Sequence, residues 1–157
     1  MAQEIERKFL VTGDYKSKAF ACHHISQGYI SSGNGRTVRI RISDGIGYLT
    51  IKGPSLDGGL SRFEWEKEIS LDDAELLMQL CEGGQITKNR YLVRSGKHIF
   101  EVDEFLGDNE GLVVAEVELD SIDDKYTDPG FIGKEVTGDK RYYNAQLMRT
   151  PYKLWNI

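Results

Sequence analysis

Hydrophobic and polar residues alternate one by one through most of this chain, and the polar positions are mostly ionised. Successive side chains of a strand point to opposite sides, so a period of two predicts strands with one aliphatic and one charged face. The segments that carry it are 3–11, 23–31, 36–43, 46–53, 60–69, 85–94, 97–105 and 112–120. In the first, Glu4, Glu6 and Lys8 share a face against Ile5, Phe9 and Val11. The third sets Arg39 and Arg41 against Val38, Ile40 and Ile42, and the fourth puts Lys52 with Tyr48 and Thr50. The fifth aligns Arg62, Glu64, Glu66 and Glu68 against Phe63, Trp65 and Ile69. Lys88, Arg90 and Arg94 alternate in the sixth, Glu101 and Asp103 in the seventh, Glu116 and Glu118 in the eighth.

Short Gly-rich joints separate several of these segments: Ser32-Gly33-Asn34-Gly35, Asp44-Gly45, Asp57-Gly58-Gly59 and Ser95-Gly96. They supply the positive φ angles of tight turns, so the strands are expected to run antiparallel. One helix is expected over 71–82, with Ser70 as N-cap, Asp73 as its capping-box-like partner and Leu76, Leu77, Leu80 and Cys81 as an apolar stripe. A second is expected over 139–149, with weaker helical turns near 14–20 and 121–126. The reading is an α+β, mainly β chain, a single domain over 1–157, with helices packed outside an antiparallel sheet or barrel.

Charged strand faces usually look to solvent. Such faces normally contain Thr, Ser and Gln, however, and here like charges repeat at alternate positions. An inverted barrel, with the charges lining the interior and helices covering the aliphatic exterior, gives the helix at 71–82 an apolar partner. Such a lumen suits a cation and a polyanion bound together. In Glu4-Ile5-Glu6-Arg7-Lys8, two carboxylates and an ammonium fall in a row, and Glu116 and Glu118 repeat the carboxylate spacing. Hard divalent ions such as Mg²⁺ or Mn²⁺ take oxygen ligands of this kind together with substrate phosphates. Arg39, Arg41, Lys8, Lys52, Lys88 and Arg90 read as phosphate ligands, or as cross-strand partners of the carboxylates.

Other chemistries find little support. A formal net charge of −5 gives no electrostatic reason to expect nucleic acid. No apolar stretch approaches a membrane span and no signal peptide is seen, so a cytoplasmic setting is expected, consistent with only two cysteines, Cys22 and Cys81. Cys22-His23-His24 alternates across a strand and is not expected to share a metal, and no P-loop occurs.

The ordered motifs together resemble the CYTH family, the triphosphate tunnel metalloenzymes. The segment Glu4-Ile5-Glu6-Arg7-Lys8-Phe9-Leu10-Val11 is similar to the family's N-terminal Glu-x-Glu-x-Lys signature, in the form found in small bacterial members. Gln27-Gly28-Tyr29, Arg39-Ile40-Arg41, Leu49-Thr50-Ile51-Lys52, Ser61-Arg62-Phe63-Glu64-Trp65-Glu66, Thr87-Lys88-Asn89-Arg90-Tyr91, Glu101-Val102-Asp103 and Glu116-Val117-Glu118 follow in the family's order. Gly133-Lys134-Glu135-Val136-Thr137 and Asp139-Lys140-Arg141-Tyr142 resemble its C-terminal segment.

The resemblance implies a closed eight-stranded antiparallel tunnel that binds triphosphates with Mg²⁺ or Mn²⁺. It implies metal binding by Glu4, Glu6 and Glu118 with Glu116 beside them, and a triphosphate held by Lys8, Arg39, Arg41, Lys52, Lys88 and Arg90. Arg62, Glu64, Glu66 and Asp103 match inward-facing positions, and Lys134 is a further substrate-binding candidate outside the strands. The activity implied is hydrolysis of inorganic tripolyphosphate to pyrophosphate and phosphate, with Glu4, Glu6, Lys8, Glu116 and Glu118 at the reaction centre. The alternative is a class IV adenylyl cyclase or a triphosphatase for nucleoside or thiamine triphosphate. A homodimer is the one macromolecular partner left open.

Overall fold

A computed structural model describes residues 3–155. Among the described residues nine strands are present: Gln3–Val11 (β1), Ala21–Gly33 (β2), Arg36–Ser43 (β3), Ile46–Leu56 (β4), Ser61–Ile69 (β5), Glu82–Ser95 (β6), His98–Phe105 (β7), Val113–Glu118 (β8) and Ile132–Glu135 (β9). They run β5-β4-β3-β2-β6-β7-β8-β1-β9, and a β5–β1 pairing closes the first eight into a barrel. At the closure Glu4 lies opposite Arg62. On the other edge of β1, Glu6 lies opposite Glu118 and Lys8 opposite Glu116. Every pairing is antiparallel, as the short joints require. Asn34 and Gly35 both take positive φ (52° and 77°), as do Asp44 and Gly45 (49° and 82°), the geometry of two-residue hairpins whose twist matches their strands.

The barrel is inverted. Phe9, Val93, Phe100, Val102, Ala115 and Val117 lie on the face opposite the charged positions, and form a buried cluster with Tyr15, Leu119 and Phe131 from the flanking segments. The helix Leu71–Met78 (α1) covers another part of the exterior. Its Ala74 is fully buried beside Gly47, where an added Cβ would stand 2.6 Å from the Ala74 Cβ. The Ser70 hydroxyl accepts a hydrogen bond from the Asp73 amide and starts the helix. On the outside of β4 and β5, Ile51, Phe63 and Trp65 stay exposed.

At one end the lumen-side positions turn apolar. Ile86, Phe105 and Val114 pack there with Leu112, Val136, Tyr142 and Leu147, and the C-terminal segment thereby stoppers that end.

Several boundaries differ from the sequence expectation. The first helix stops at Met78, four residues short, because β6 starts at Glu82. The second expected helix is a 3-10 turn, Lys140–Tyr142, followed by a six-residue helix, Asn144–Arg149 (α2). The weak turn near 14–20 appears as a 3-10 helix, Lys16–Lys18, whereas 121–126 holds only bends and turns. β9 was not expected. It is four residues long and contains Gly133, whose added Cβ would come within 2.5 Å of Thr12.

Candidate active site

The alternate charged positions converge on a single cavity of about 610 Å³ in the barrel interior. Residues from all eight barrel strands, β1 to β8, contribute, because each strand turns one face inward. Glu4, Glu6, Lys8, Arg39, Arg41, Lys52, Arg62, Glu64, Glu66, Lys88, Arg90, Glu116 and Glu118 all line it.

On the β6–β7 side Arg90 grips Asp103 with both Nε (2.8 Å) and Nη2 (2.9 Å) and reaches Glu101 at 3.1 Å. Lys88 meets the same Asp103 at 2.7 Å, and both are only 1% exposed. Asp103 is therefore a buried counter-ion behind the two cations, not part of the cavity wall. With Arg90 and Lys88 against it, its carboxyl stays far below the usual range despite burial. Burial pushes Lys88 down to about 7, against the pull of Asp103.

On the β3–β5 side Lys52 bonds Glu4 at 3.0 Å and lies 3.5 Å from Glu64. Arg39 donates to the Thr50 hydroxyl, which donates in turn to Glu66 at 2.7 Å. The Arg39 Nε is buried with no partner. Arg41 has no carboxylate partner among the described residues, and its Nε donates to the Gln27 amide oxygen at 2.9 Å. Burial and the neighbouring Arg39 and Arg90 push Arg41 down to about 9. Cationic donors left this way inside a cavity are costly unless an anion arrives.

The carboxylates divide into two kinds. Burial opposes the ionisation of Glu4 and Glu116, but Lys52 lowers the first and Lys8, at 3.6 Å, holds the second at about 2. Glu6 is pushed well up by burial and by Glu116 and Glu4, and Glu118 is raised by burial, Glu4 and Glu101. Burial and Glu4 raise Glu64 to about 7. Among the described residues no three such side chains are gathered closely enough to hold an ion as they stand, since Lys52 and Lys8 draw Glu4 and Glu116 aside. As a donor set the four glutamates fit a hard divalent cation. All are oxygen ligands, and Glu6 and Glu118 lie opposite each other on β1 and β8.

The cavity wall also includes residues that alternation could not reveal. Lys140, Tyr143, Asn144 and Arg149 reach it from the C-terminal segment. The Tyr143 ring lies 4.9 Å from the Lys8 ammonium and 5.9 Å from the Arg62 guanidinium, and its hydroxyl meets Ser55 at 3.2 Å. Asn144 accepts a hydrogen bond from Lys88 at 2.8 Å.

Comparison with known proteins agrees with this geometry. The CYTH domain model matches residues 2–152. The chain belongs to the CYTH family. It is 48% identical over 155 residues to an inorganic triphosphatase of Acetivibrio thermocellus, covering 98% of this chain and 97% of that one. It is 37% identical over 151 residues to an inorganic triphosphatase of Nitrosomonas europaea, covering 92% and 95%. The crystal structure of an inorganic triphosphatase superposes with a TM-score of 0.66 at 32% identity, covering 94% of this chain and 95% of that one.

Besides Asp103, the charged residues Glu68, Arg94 and Lys134 considered from sequence do not line this CYTH cavity. Lys134 lies on β9, not outside the strands, and is exposed away from the lumen. Arg94 sits past the barrel rim, with its guanidinium 5.1 Å from the Phe20 ring.

Proposed function

We propose that this CYTH protein hydrolyses inorganic tripolyphosphate to pyrophosphate and orthophosphate inside the barrel. The observation that carries the reading is the group of lumen cations with unused donors: Arg39, whose Nη2 reaches Glu66 at 3.5 Å but whose Nε has no partner, and Arg41, held only by an amide. A linear polyanion supplies the missing acceptors along its whole length, and the two relatives at 48% and 37% identity are inorganic triphosphatases.

Arg39, Arg41, Lys52, Lys88, Arg90 and Lys8 hold the phosphates and stabilise charge on the transferred group. Glu4, Glu6, Glu116 and Glu118 would hold Mg²⁺ or Mn²⁺, which when bound supplies charge neutralisation on the phosphate oxygens. A lumen carboxylate, Glu116 or one from β5 such as Glu64, would take a proton from the attacking water. Water attacks a terminal phosphorus in line, the phosphoanhydride bond breaks, and pyrophosphate leaves. The cytoplasm suits the two free cysteines, and no helix among the described residues is long and apolar enough to cross a membrane.

Incubating the protein with tripolyphosphate, ATP or thiamine triphosphate, with Mg²⁺, Mn²⁺ or a chelator, and separating the products tests this. Pyrophosphate and phosphate from tripolyphosphate, lost on chelation, is the expected result. Cyclic AMP as the main product from ATP overturns it.

A further inference from the structure

At the stoppered end of the lumen two amide side chains join cations that come from distant strands. The Gln27 oxygen accepts from Arg41 Nε at 2.9 Å, and its nitrogen donates to the Tyr29 hydroxyl (3.0 Å) and to Asn144 Oδ1 (3.1 Å). The same Asn144 oxygen accepts from Lys88 Nζ at 2.8 Å. Gln27 is fully buried, so each of its bonds is made in a region without competing water. Both ends of the Gln27 amide are committed, which fixes its orientation. Two donors converging on Asn144 Oδ1 fix that side chain as well.

We propose that Asn144 and Gln27 are positioning residues that set the aim of Lys88 and Arg41 on the phosphate chain, so that the substrate site is complete only when the C-terminal segment is docked. Three features of the geometry support this. Arg41 has no carboxylate among the described residues to fix its guanidinium, so the amide is what orients it. Lys88 carries three donors, and its single carboxylate, Asp103, is also gripped on both oxygens by Arg90. Asn144 stands at the start of α2, on the segment whose Tyr142 and Leu147 pack into the apolar stopper. Docking of that segment and alignment of the two cations are thus one event. A neutral amide orients the cations without cancelling the charge that the phosphate must meet, which a carboxylate in its place would do.

The inference rests on the tripolyphosphate reading, and the test separates the two. Steady-state kinetics with tripolyphosphate, and its binding to chelator-treated protein by calorimetry, are measured for wild type, Asn144→Ala, Gln27→Met and the double variant. Asn144→Ala is expected to raise KM and the calorimetric Kd roughly 10–100-fold, the range for losing a hydrogen bond to a charged group, with kcat within about threefold of wild type. Gln27→Met is expected to do the same, and the double variant to cost much less than the product of the two, because both act through one relay. Asn144→Ser, too short to bridge both donors, replaces the alanine variant if that fails to fold. A lowered Tm with KM and Kd unchanged, a kcat loss without a KM change, or strictly multiplicative effects each overturn the proposal. Failure of the wild-type protein to bind or cleave tripolyphosphate overturns the functional reading itself.

Discussion

Glu6 and Glu118 face each other across β1 and β8, and both carboxyls are pushed up, by burial first and then by neighbouring carboxylates, Glu116 and Glu4 on Glu6 and Glu4 and Glu101 on Glu118. Their neighbours Glu4 and Glu116 are satisfied by Lys52 and Lys8. The strand pair thus stores like-charge repulsion that a divalent cation would relieve. Glu6→Gln should raise the Tm of metal-free protein by about 2–4 °C for each kcal/mol of repulsion removed. It should also lower phosphate release by more than the roughly 10–100-fold that loss of an outer-shell metal partner costs. Thermal scans in chelator and phosphate assays on the same preparation check both. Wild-type turnover in this variant would remove Glu6 from the metal set. At this scale much of the site was legible. Glu4, Glu6, Lys8, Arg39, Arg41 and Lys52 could be assigned to one side of their strands by parity, since a strand leaves each side chain only two directions. Asn144 and Tyr143 could not, because nothing in a short C-terminal segment indicates that it enters a lumen built by strands far earlier in the chain.

At the level of elements, α1 holds to the barrel through close approach more than through area. Ala74 rests over Gly47, and Met78 and Cys81 rest over Gly28, where an added Cβ would come within 2.9 Å of Cys81. Leu76 and Leu80 of the expected apolar stripe remain exposed instead. Gly47→Ala should therefore displace the helix and cost about 1–3 kcal/mol, the usual penalty of overpacking. Chemical denaturation measures it, and an unchanged midpoint would show that the contact is slack. The helix start was readable from Ser70 and Asp73, since capping is local. Its end and its buried face were not, because they depend on where β2 and β4 run. β9 escaped notice for the same reason. Four residues with a glycine carry too little periodicity, and pairing with β1 is what makes them a strand.

For the whole molecule, an inverted barrel needs its exterior covered, and the 119–131 crossover supplies part of that cover through Leu119, Tyr126 and Phe131. Asp124 ties the crossover down. It accepts from the Asp120 amide (3.0 Å) and meets His98 and Lys97, each at 2.9 Å. These partners hold its carboxyl well below the usual range. An Asp depressed in the folded state stabilises the fold above its unfolded pKa of about 3.9, and that contribution is lost as pH falls toward the folded value. Asp124→Asn should thus lower Tm at pH 7, and the gap to wild type should close as pH falls below about 4. A gap of equal size at pH 7 and pH 3 would mean that Asp124 does not couple to folding through its charge.

A net charge of −5 says little about this molecule, because it averages over a lumen where the signs are separated by position. Alternation alone determined that the strands have one charged and one aliphatic face, and tight Gly-containing turns determined that they run antiparallel. Those are consequences of backbone geometry within a few residues. Closure through β1 and β5, the Glu6–Glu118 and Lys8–Glu116 pairings, the buried Arg90–Asp103–Lys88 triad and the stopper that brings Asn144 to Lys88 were decided by tertiary structure. Most join residues far apart in the chain, and even for the triad across the β6–β7 hairpin only the folded barrel decides the burial.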